Sequence, residues 1–258
     1  MIRVAVCGAS GRMGRLVVRQ VTMQKDMKLV AAVDTPGNPM EGKDAGLVAG
    51  VTKLGVAILS SNKLDKILSD SKPDVLVDFT VAEASVQNIK ASSRAGVSVV
   101  VGTTGFTPQQ RKEIDEAIKK GKIRAVISPN FSVGVNVFFK TTGDTARLLG
   151  KDYEPSIVEI HHVHKRDAPS GTALKVAEIV SGELGMDREK IRIKSIREGE
   201  VVGEHTLIFS SPYEQVEIMH RAKSREAFAA GAVKAARYVV KKGKPGVVRD
   251  MQDALGLR

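Results

Sequence analysis

Tryptophan is absent from this 258-residue chain, all aromatic residues together make up 4%, and there is one cysteine. So thin an aromatic content argues against an aromatic-lined carbohydrate site and against an RNA module that stacks bases. The lone thiol, Cys7, has nothing to pair with, which excludes a disulfide scaffold. Set in an apolar stretch, it reads as a small buried hydrophobe in a reducing compartment. No run approaches the roughly 18 apolar residues that span a bilayer. The amino terminus has only a brief apolar stretch and no small-residue cleavage pattern, so neither a membrane association nor a signal peptide is expected, and the expected location is cytoplasmic. The 24 glycines and 9 prolines follow no period, which removes collagen-like and low-complexity readings.

What is present is an ordinary globular composition, 42% hydrophobic and 27% charged, with enough chain for one large domain or two modest ones. The 40 Lys+Arg against 29 Asp+Glu give a net charge of +11. These cations are spread along the chain rather than gathered in a block, so anionic small molecules are expected as partners and nucleic acid is not.

The first half alternates short β-branched runs with helical patterns. Residues 2–6, 29–33, 75–79, 97–101 and 124–127 read as strands, and 12–24 and 82–95 as helices. Thr107, Pro108 and Gln110 give a helix start with an N-cap, a first-turn proline and a capping-box partner. Such alternation implies a parallel sheet covered on both faces. After about residue 130 the pattern changes: helices over 135–149 and 170–184, then strand-like runs at 156–161, 191–196, 204–209 and 215–219, and an Ala-rich helix over 225–241. The expected fold class is α/β, a Rossmann-like parallel sheet domain (residues 1–131 and 225–258) with an inserted α+β substrate and oligomerisation domain (132–224).

Gly8-Ala9-Ser10-Gly11-Arg12-Met13-Gly14 falls between the first strand and the first helix. Glycine permits the tight turn and lets backbone approach a pyrophosphate, while the helix start offers free N–H groups and the positive end of its dipole. Asp34 follows about twenty residues later at the carboxyl end of the second strand, placed to hydrogen-bond ribose hydroxyls. Its neighbour Thr35 offers no cation for a 2′-phosphate, which favours NADH over NADPH, although Arg12 and Lys28 supply positive charge nearby. Gly102, Thr103, Thr104 and Gly105, then Ser128, Pro129, Asn130 and Phe131, end two further strands where the crevice of such a sheet lies.

Three of the five histidines lie within Glu159-Ile160-His161-His162-Val163-His164-Lys165. Histidine shuttles protons near neutral pH, and Lys165 can hold a carboxylate or donate a proton. Ser170, Gly171 and Thr172 then put hydroxyls and N–H groups at a helix start, an anion site, so the cluster suggests an acidic substrate. A metal on His162 and His164 lacks an evident third ligand, and none is expected; a solvated polar strand end is the other alternative. In a regular strand His161 and His162 point to opposite faces, so both serve one site only if the strand ends or bends there.

These segments resemble the 4-hydroxy-tetrahydrodipicolinate reductase (dihydrodipicolinate reductase) family. The glycine turn, the stretch from Glu159 through Arg166-Asp167-Ala168-Pro169 to Ala173, Gly102-Thr103-Thr104-Gly105, Pro129 to Asn136, and Val202-Gly203-Glu204-His205-Thr206 fit in order, so the resemblance runs essentially end to end. It implies NAD(P)H-dependent reduction of a cyclic dicarboxylate imine in the diaminopimelate route to lysine, and a homotetramer built through the inserted domain's sheet. By matching positions, His161 would be the acid–base residue and Lys165 a proton donor and substrate ligand. His162, Ser170, Gly171 and Thr172 would hold the substrate. Gly8, Ala9, Ser10, Gly11, Arg12, Met13, Asp34, Gly102, Thr103, Thr104 and Ser128 to Phe131 would contact the dinucleotide. Thr35 stands where some members carry arginine and Ser128 where some carry alanine. Another Rossmann dehydrogenase acting on a small amino or dicarboxylic acid is the alternative enzyme, and a basic nucleic-acid binder on a dinucleotide fold the alternative outside enzymes.

Overall fold

Strands that read as near-continuous apolar runs are those buried on both faces of a parallel sheet, and a computed structural model, which describes residues 1–258, builds the first half of the chain in this way. In order it forms β1 (Ile2–Cys7), α1 (Arg12–Thr22), β2 (Met27–Asp34), α2 (Ala45–Val48), β3 (Ile58–Ser60), α3 (Leu64–Ser71), β4 (Val75–Asp78), α4 (Ala82–Ala95), β5 (Ser98–Val101), α5 (Pro108–Gly121) and β6 (Ala125–Ile127). The chain continues with α6 (Val133–Leu149), β7 (Glu154–His161), α7 (Gly171–Leu184), β8 (Arg192–Arg197), β9 (Gly203–Ser210) and β10 (Gln215–Ala222), and closes with α8 (Glu226–Lys241), β11 (Val248–Arg249) and α9 (Met251–Leu255). No helix is long and apolar enough to cross a membrane.

Two compact units result, Met1–Ser132 with Phe228–Arg258, and Val133–Ala227. The first holds a sheet of order β11-β6-β5-β4-β1-β2-β3 with every pair parallel. Every residue of β4 and β5 is buried, as a central parallel strand requires. Strand order reverses between β1 and β4, so the crevice of this unit opens beyond their carboxyl ends. α5 starts with the Thr107–Gln110 capping box and Pro108 in its first turn. The closing segment adds β11 beside β6, and Gly231 of α8 lets that helix approach the turn after β6: a Cβ there would lie 1.7 Å from the Phe131 carbonyl oxygen.

The second unit is a mixed sheet, β10-β9-β7-β8, in which β7 and β8 run parallel and β9 is antiparallel to both its neighbours. One face is covered by α6 and α7, whose Phe138, Val176 and Val180 pack with Ile157, Leu207 and Phe209 of the sheet. The alternation continues beyond this apolar patch. On β7 the buried positions run Pro155, Ile157, Glu159, His161, and on β9 they run Phe209, Leu207, His205, Gly203. Period two therefore carries the core face from hydrocarbon into a buried polar cluster at one end of the sheet.

Candidate active site

In the first unit, β1 delivers the chain into Gly8, which sits at φ +71°, a conformation glycine adopts without strain. The turn then closes on itself, the Gly11 N–H donating to the Gly8 carbonyl at 2.9 Å. Gly14 completes it: a Cβ at that position would lie 1.9 Å from the Gly8 carbonyl oxygen, so α1 packs directly on the turn only because no side chain intervenes. α1 has no capping side chain and no acidic residue in its first turn, leaving its N–H groups and dipole for an exogenous anion. The cradle thus fits a pyrophosphate.

Asp34, at the end of β2, is buried and faces this turn. One carboxylate oxygen accepts from the Ser10 N–H at 2.8 Å and the Ser10 hydroxyl at 2.7 Å, and the other from the Thr35 N–H at 2.8 Å. Asn38 donates to the Ser10 hydroxyl at 3.1 Å, joining the network without a motif in the sequence to announce it. Across the switch point, Asp78 ends β4 fully buried and accepts from the Thr80 N–H and hydroxyl and from the Asn88 amide at 2.7 to 2.9 Å. Thr80 reaches the glycine turn, its methyl 3.1 Å from where a Gly8 Cβ would be. Gly102 lies over the Phe79 ring, which packs edge-on against Phe131 with centroids 5.6 Å apart. Among the other expected residues, Thr103 and Ser128 turn their hydroxyls inward to the carbonyls of Thr80 and Asn130, at 3.3 and 3.0 Å, while Thr104 and Pro129 are exposed. Arg12 is exposed and Met13 half-buried at the start of α1.

In the second unit β7 ends at His161, and residues after it form a turn in which the Lys165 N–H donates to the His162 carbonyl at 3.1 Å. The end of the strand releases His162 from strict alternation. Its ring is half-buried, with Nδ1 shielded from solvent and unpartnered. Lys165 pairs with Asp167 at 2.8 Å. Ser170 caps α7, its hydroxyl accepting from the Ala173 N–H at 3.2 Å and lying 3.0 Å from His205 Nε2. Ser170 is 2% exposed and its hydroxyl is engaged on both sides, whereas the Gly171 and Thr172 N–H groups at the start of α7 carry no partner.

Sequence reasoning assigned no role to three residues that complete this cluster. Glu159, fully buried, meets His161 Nδ1 through one oxygen and Arg197 through the other at 3.0 Å. His205 packs edge-on to His161 with ring centroids 5.0 Å apart. Arg197 also donates to the carbonyls of Lys165 and Asp167, tying the turn to the sheet. Burial pushes the His161 ring below the ordinary histidine range despite the neighbouring carboxylate, and burial with the proximity of His161 holds His205 down to about 3. Burial alone would raise the Glu159 carboxyl, but hydrogen bonds from Ser195, Arg197 and His161 together hold it below the usual range. The three groups Glu159, His161 and His205 bring donor atoms within 4.8 Å of one another, the arrangement of a metal site, yet Arg197 already neutralises the carboxylate. His162 and His164, the pair considered from sequence, stand with ring centroids 6.1 Å apart.

Residues 2–131 match the family model described as dihydrodipicolinate reductase, N-terminus, and residues 134–255 match that of its C-terminus. The chain is 49% identical to a 4-hydroxy-tetrahydrodipicolinate reductase of Methanosarcina barkeri, covering 100% of both chains. It is 47% identical to the protein of that name from Methanocaldococcus jannaschii, covering 100% of this chain and 98% of the relative. Among solved structures, a dipicolinate-bound dihydrodipicolinate reductase from Paenisporosarcina sp. TG-14 shares the fold with a TM-score of 0.82 at 24% identity over 98% of each chain.

Proposed function

The chain belongs to the dihydrodipicolinate reductase family, and on that premise we propose that it reduces 4-hydroxy-tetrahydrodipicolinate to tetrahydrodipicolinate, in the diaminopimelate route to lysine, with a nicotinamide nucleotide as reductant. The substrate is a small cyclic dicarboxylate. Replacing its 4-hydroxyl by hydrogen consumes one hydride and one proton and releases water. When bound, the nucleotide supplies the hydride; the protein supplies the proton, the grip on the carboxylates and the dry surroundings.

The observation that carries this assignment is the polar end of the second unit. There a neutral-prone histidine, a lysine and two unclaimed helix N–H groups converge beside a buried carboxylate. Lys165 Nζ holds a proton beside Asp167 and gives it up to substrate; His161, neutral at pH 7, exchanges a proton rather than holding a charge. His162 and the N–H groups of Gly171 and Thr172 receive the carboxylates, with Ser170 holding the start of α7 in place. In the first unit, Gly8 through Met13 cradle the pyrophosphate, Asp34 takes the ribose hydroxyls, and Gly102 to Thr104 and Ser128 to Phe131 line the rest of the nucleotide site.

NADH is the preferred reductant. The Asp34 carboxylate occupies the place where a 2′-phosphate would add negative charge, and Thr35 brings no cation to offset it. The protein assembles as a homotetramer through the sheet of the second unit, whose face away from α6 and α7 presents Val158, Ile160, Thr206, Ile208 and the half-exposed Met219. The assay supplies freshly generated dihydrodipicolinate-synthase product with NADH or NADPH and follows nicotinamide absorbance. Oxidation that depends on the product, faster with NADH, is expected. No oxidation by protein that binds NADH would transfer the chain to the dehydrogenases acting on other small acids.

A further inference from the structure

A carboxylate with no exposed surface stands among hydrocarbon and histidine on the covered face of the second unit's sheet. Burying such a charge is costly even when it is paired, and apolar side chains fill the neighbouring positions of the same face without difficulty. The strand register explains its company. Glu159 lies opposite Ser195 on β8 and opposite His205 on β9, while His161, two residues along β7, lies opposite Arg197. All of these side chains meet at one end of the core. The carboxylate is divided between two partners: Oε1 accepts from the Arg197 guanidinium at 3.0 Å, and Oε2 meets His161 Nδ1.

The other ring nitrogen of His161 has different surroundings. Nε2 has no protein partner, and it faces Gly203, where a Cβ would stand 3.0 Å away. The absence of a side chain at that position keeps the Nε2 side clear. We propose, on the strength of the reductase assignment above, that Glu159 is a positioning residue: anchored by Arg197, it accepts a hydrogen bond from His161 Nδ1–H and so makes Nε2 the atom that exchanges protons with substrate. A carboxylate that is ionised can only accept, so the proton between it and the ring belongs to Nδ1. Arg197 performs a second task through the same guanidinium, holding the Lys165 and Asp167 carbonyls so that the turn carrying Lys165 keeps its place relative to His161.

The charged and titratable groups facing His161 are Glu159 on its own strand, Arg197 on β8, His205 on β9 and Lys165 in the following turn. Among them Glu159 alone favours the imidazolium; Lys165 and Arg197 oppose it, as burial does. Removing the carboxylate therefore lowers the proton affinity of His161 further.

Two measurements on the full-length protein test this. In the unsubstituted enzyme labelled with 15N-histidine, long-range 1H–15N spectra at pH 7.5 should show His161 as the Nδ1–H tautomer; a dominant Nε2–H tautomer would overturn the proposal. This spectrum needs no turnover, so it stands or falls separately from the reductase assignment. In Glu159→Gln, kcat should fall on the order of 10²-fold with substrate KM nearly unchanged, and the acid limb of the kcat profile should move to lower pH. NADH affinity should be unaltered. A loss of activity with an unmoved limb would mark Glu159 as a structural ion pair only, and unchanged kinetics would remove it from the site.

Discussion

The two ring nitrogens of His161 are differently occupied and burial biases its ring toward the neutral form, which is the basis of the acid–base role proposed for it. His161→Ala should lower kcat by about 10² to 10⁴ while NADH affinity stays within roughly twofold. A parallel fall in NADH affinity, read by fluorescence titration, would contradict a role confined to the substrate. The preference for NADH proposed above rests on Thr35, and a substitution there tests it. Thr35→Arg adds a cation next to the position of a 2′-phosphate and should raise the NADPH-to-NADH ratio of kcat/KM roughly tenfold, the worth of one charge-assisted hydrogen bond. An unchanged ratio would discredit the Asp34-Thr35 pair as the selector. Buried and half-buried histidines also tie stability to pH. Burial lowers His161, His205 and His220, the second of them to about 3. Their folded-state proton affinity lies below that of the unfolded chain, so their contribution is complete above about pH 6.5 and is lost as pH falls through each folded value, for His205 about 3. Tm should therefore drop between pH 6.5 and 5, before ordinary carboxylates titrate. In His205→Gln that slope should shrink by up to about 1.4 kcal/mol per pH unit; an equal slope would mean that His205 is accessible to protons in the native state.

At the scale of elements, the glycine turn works because α1 can rest on it. Gly14→Ala places a methyl 1.9 Å from the Gly8 carbonyl oxygen, so the helix must back away. We expect a loss of about 1 to 3 kcal/mol in stability and weaker NADH binding in the same variant, measured by thermal melts and titration; wild-type behaviour in both would show that the turn yields freely. Elements with strong local signals were legible in the sequence. The helix expected over 82–95 is α4, and the Thr107 capping box starts α5. The strand expected over 75–79 stops one residue earlier, at Asp78, because Thr80 folds back to hydrogen-bond that carboxylate. β3, with 3 residues, and β11, with 2, were not foreseen, since runs so short show no period and owe their existence to a neighbouring strand edge. The polar network of the second unit was half legible. His161 and Lys165 stood out by residue type, but Glu159 drew no notice of its own. The available signal was its i, i+2 spacing from His161, which puts both on one face. His205 and Arg197 come from strands far along the chain, and only their register beside β7 joins them to it.

At the scale of the whole molecule, the second unit is inserted between β6 and the closing segment, and under the proposed function the labour of one reaction is divided between the two units. The parallel sheet, with its switch point at β1 and β4, provides a nucleotide cradle of backbone and a buried aspartate. The mixed sheet carries, at the end of its covered face, the histidine and helix start proposed for proton chemistry and anion recognition. Neither suffices alone, since the reduction consumes a hydride from the nucleotide and a proton from the protein. The most direct test follows the hydride itself. The protein is incubated with freshly generated dihydrodipicolinate-synthase product and NADH deuterated at the transferring face of C4, and the organic product is analysed by mass spectrometry. Tetrahydrodipicolinate carrying one deuterium, in an amount matching the NADH oxidised, is the expected result. NADH oxidised without deuterium in that product, or left untouched by protein that binds it, would contradict the assignment.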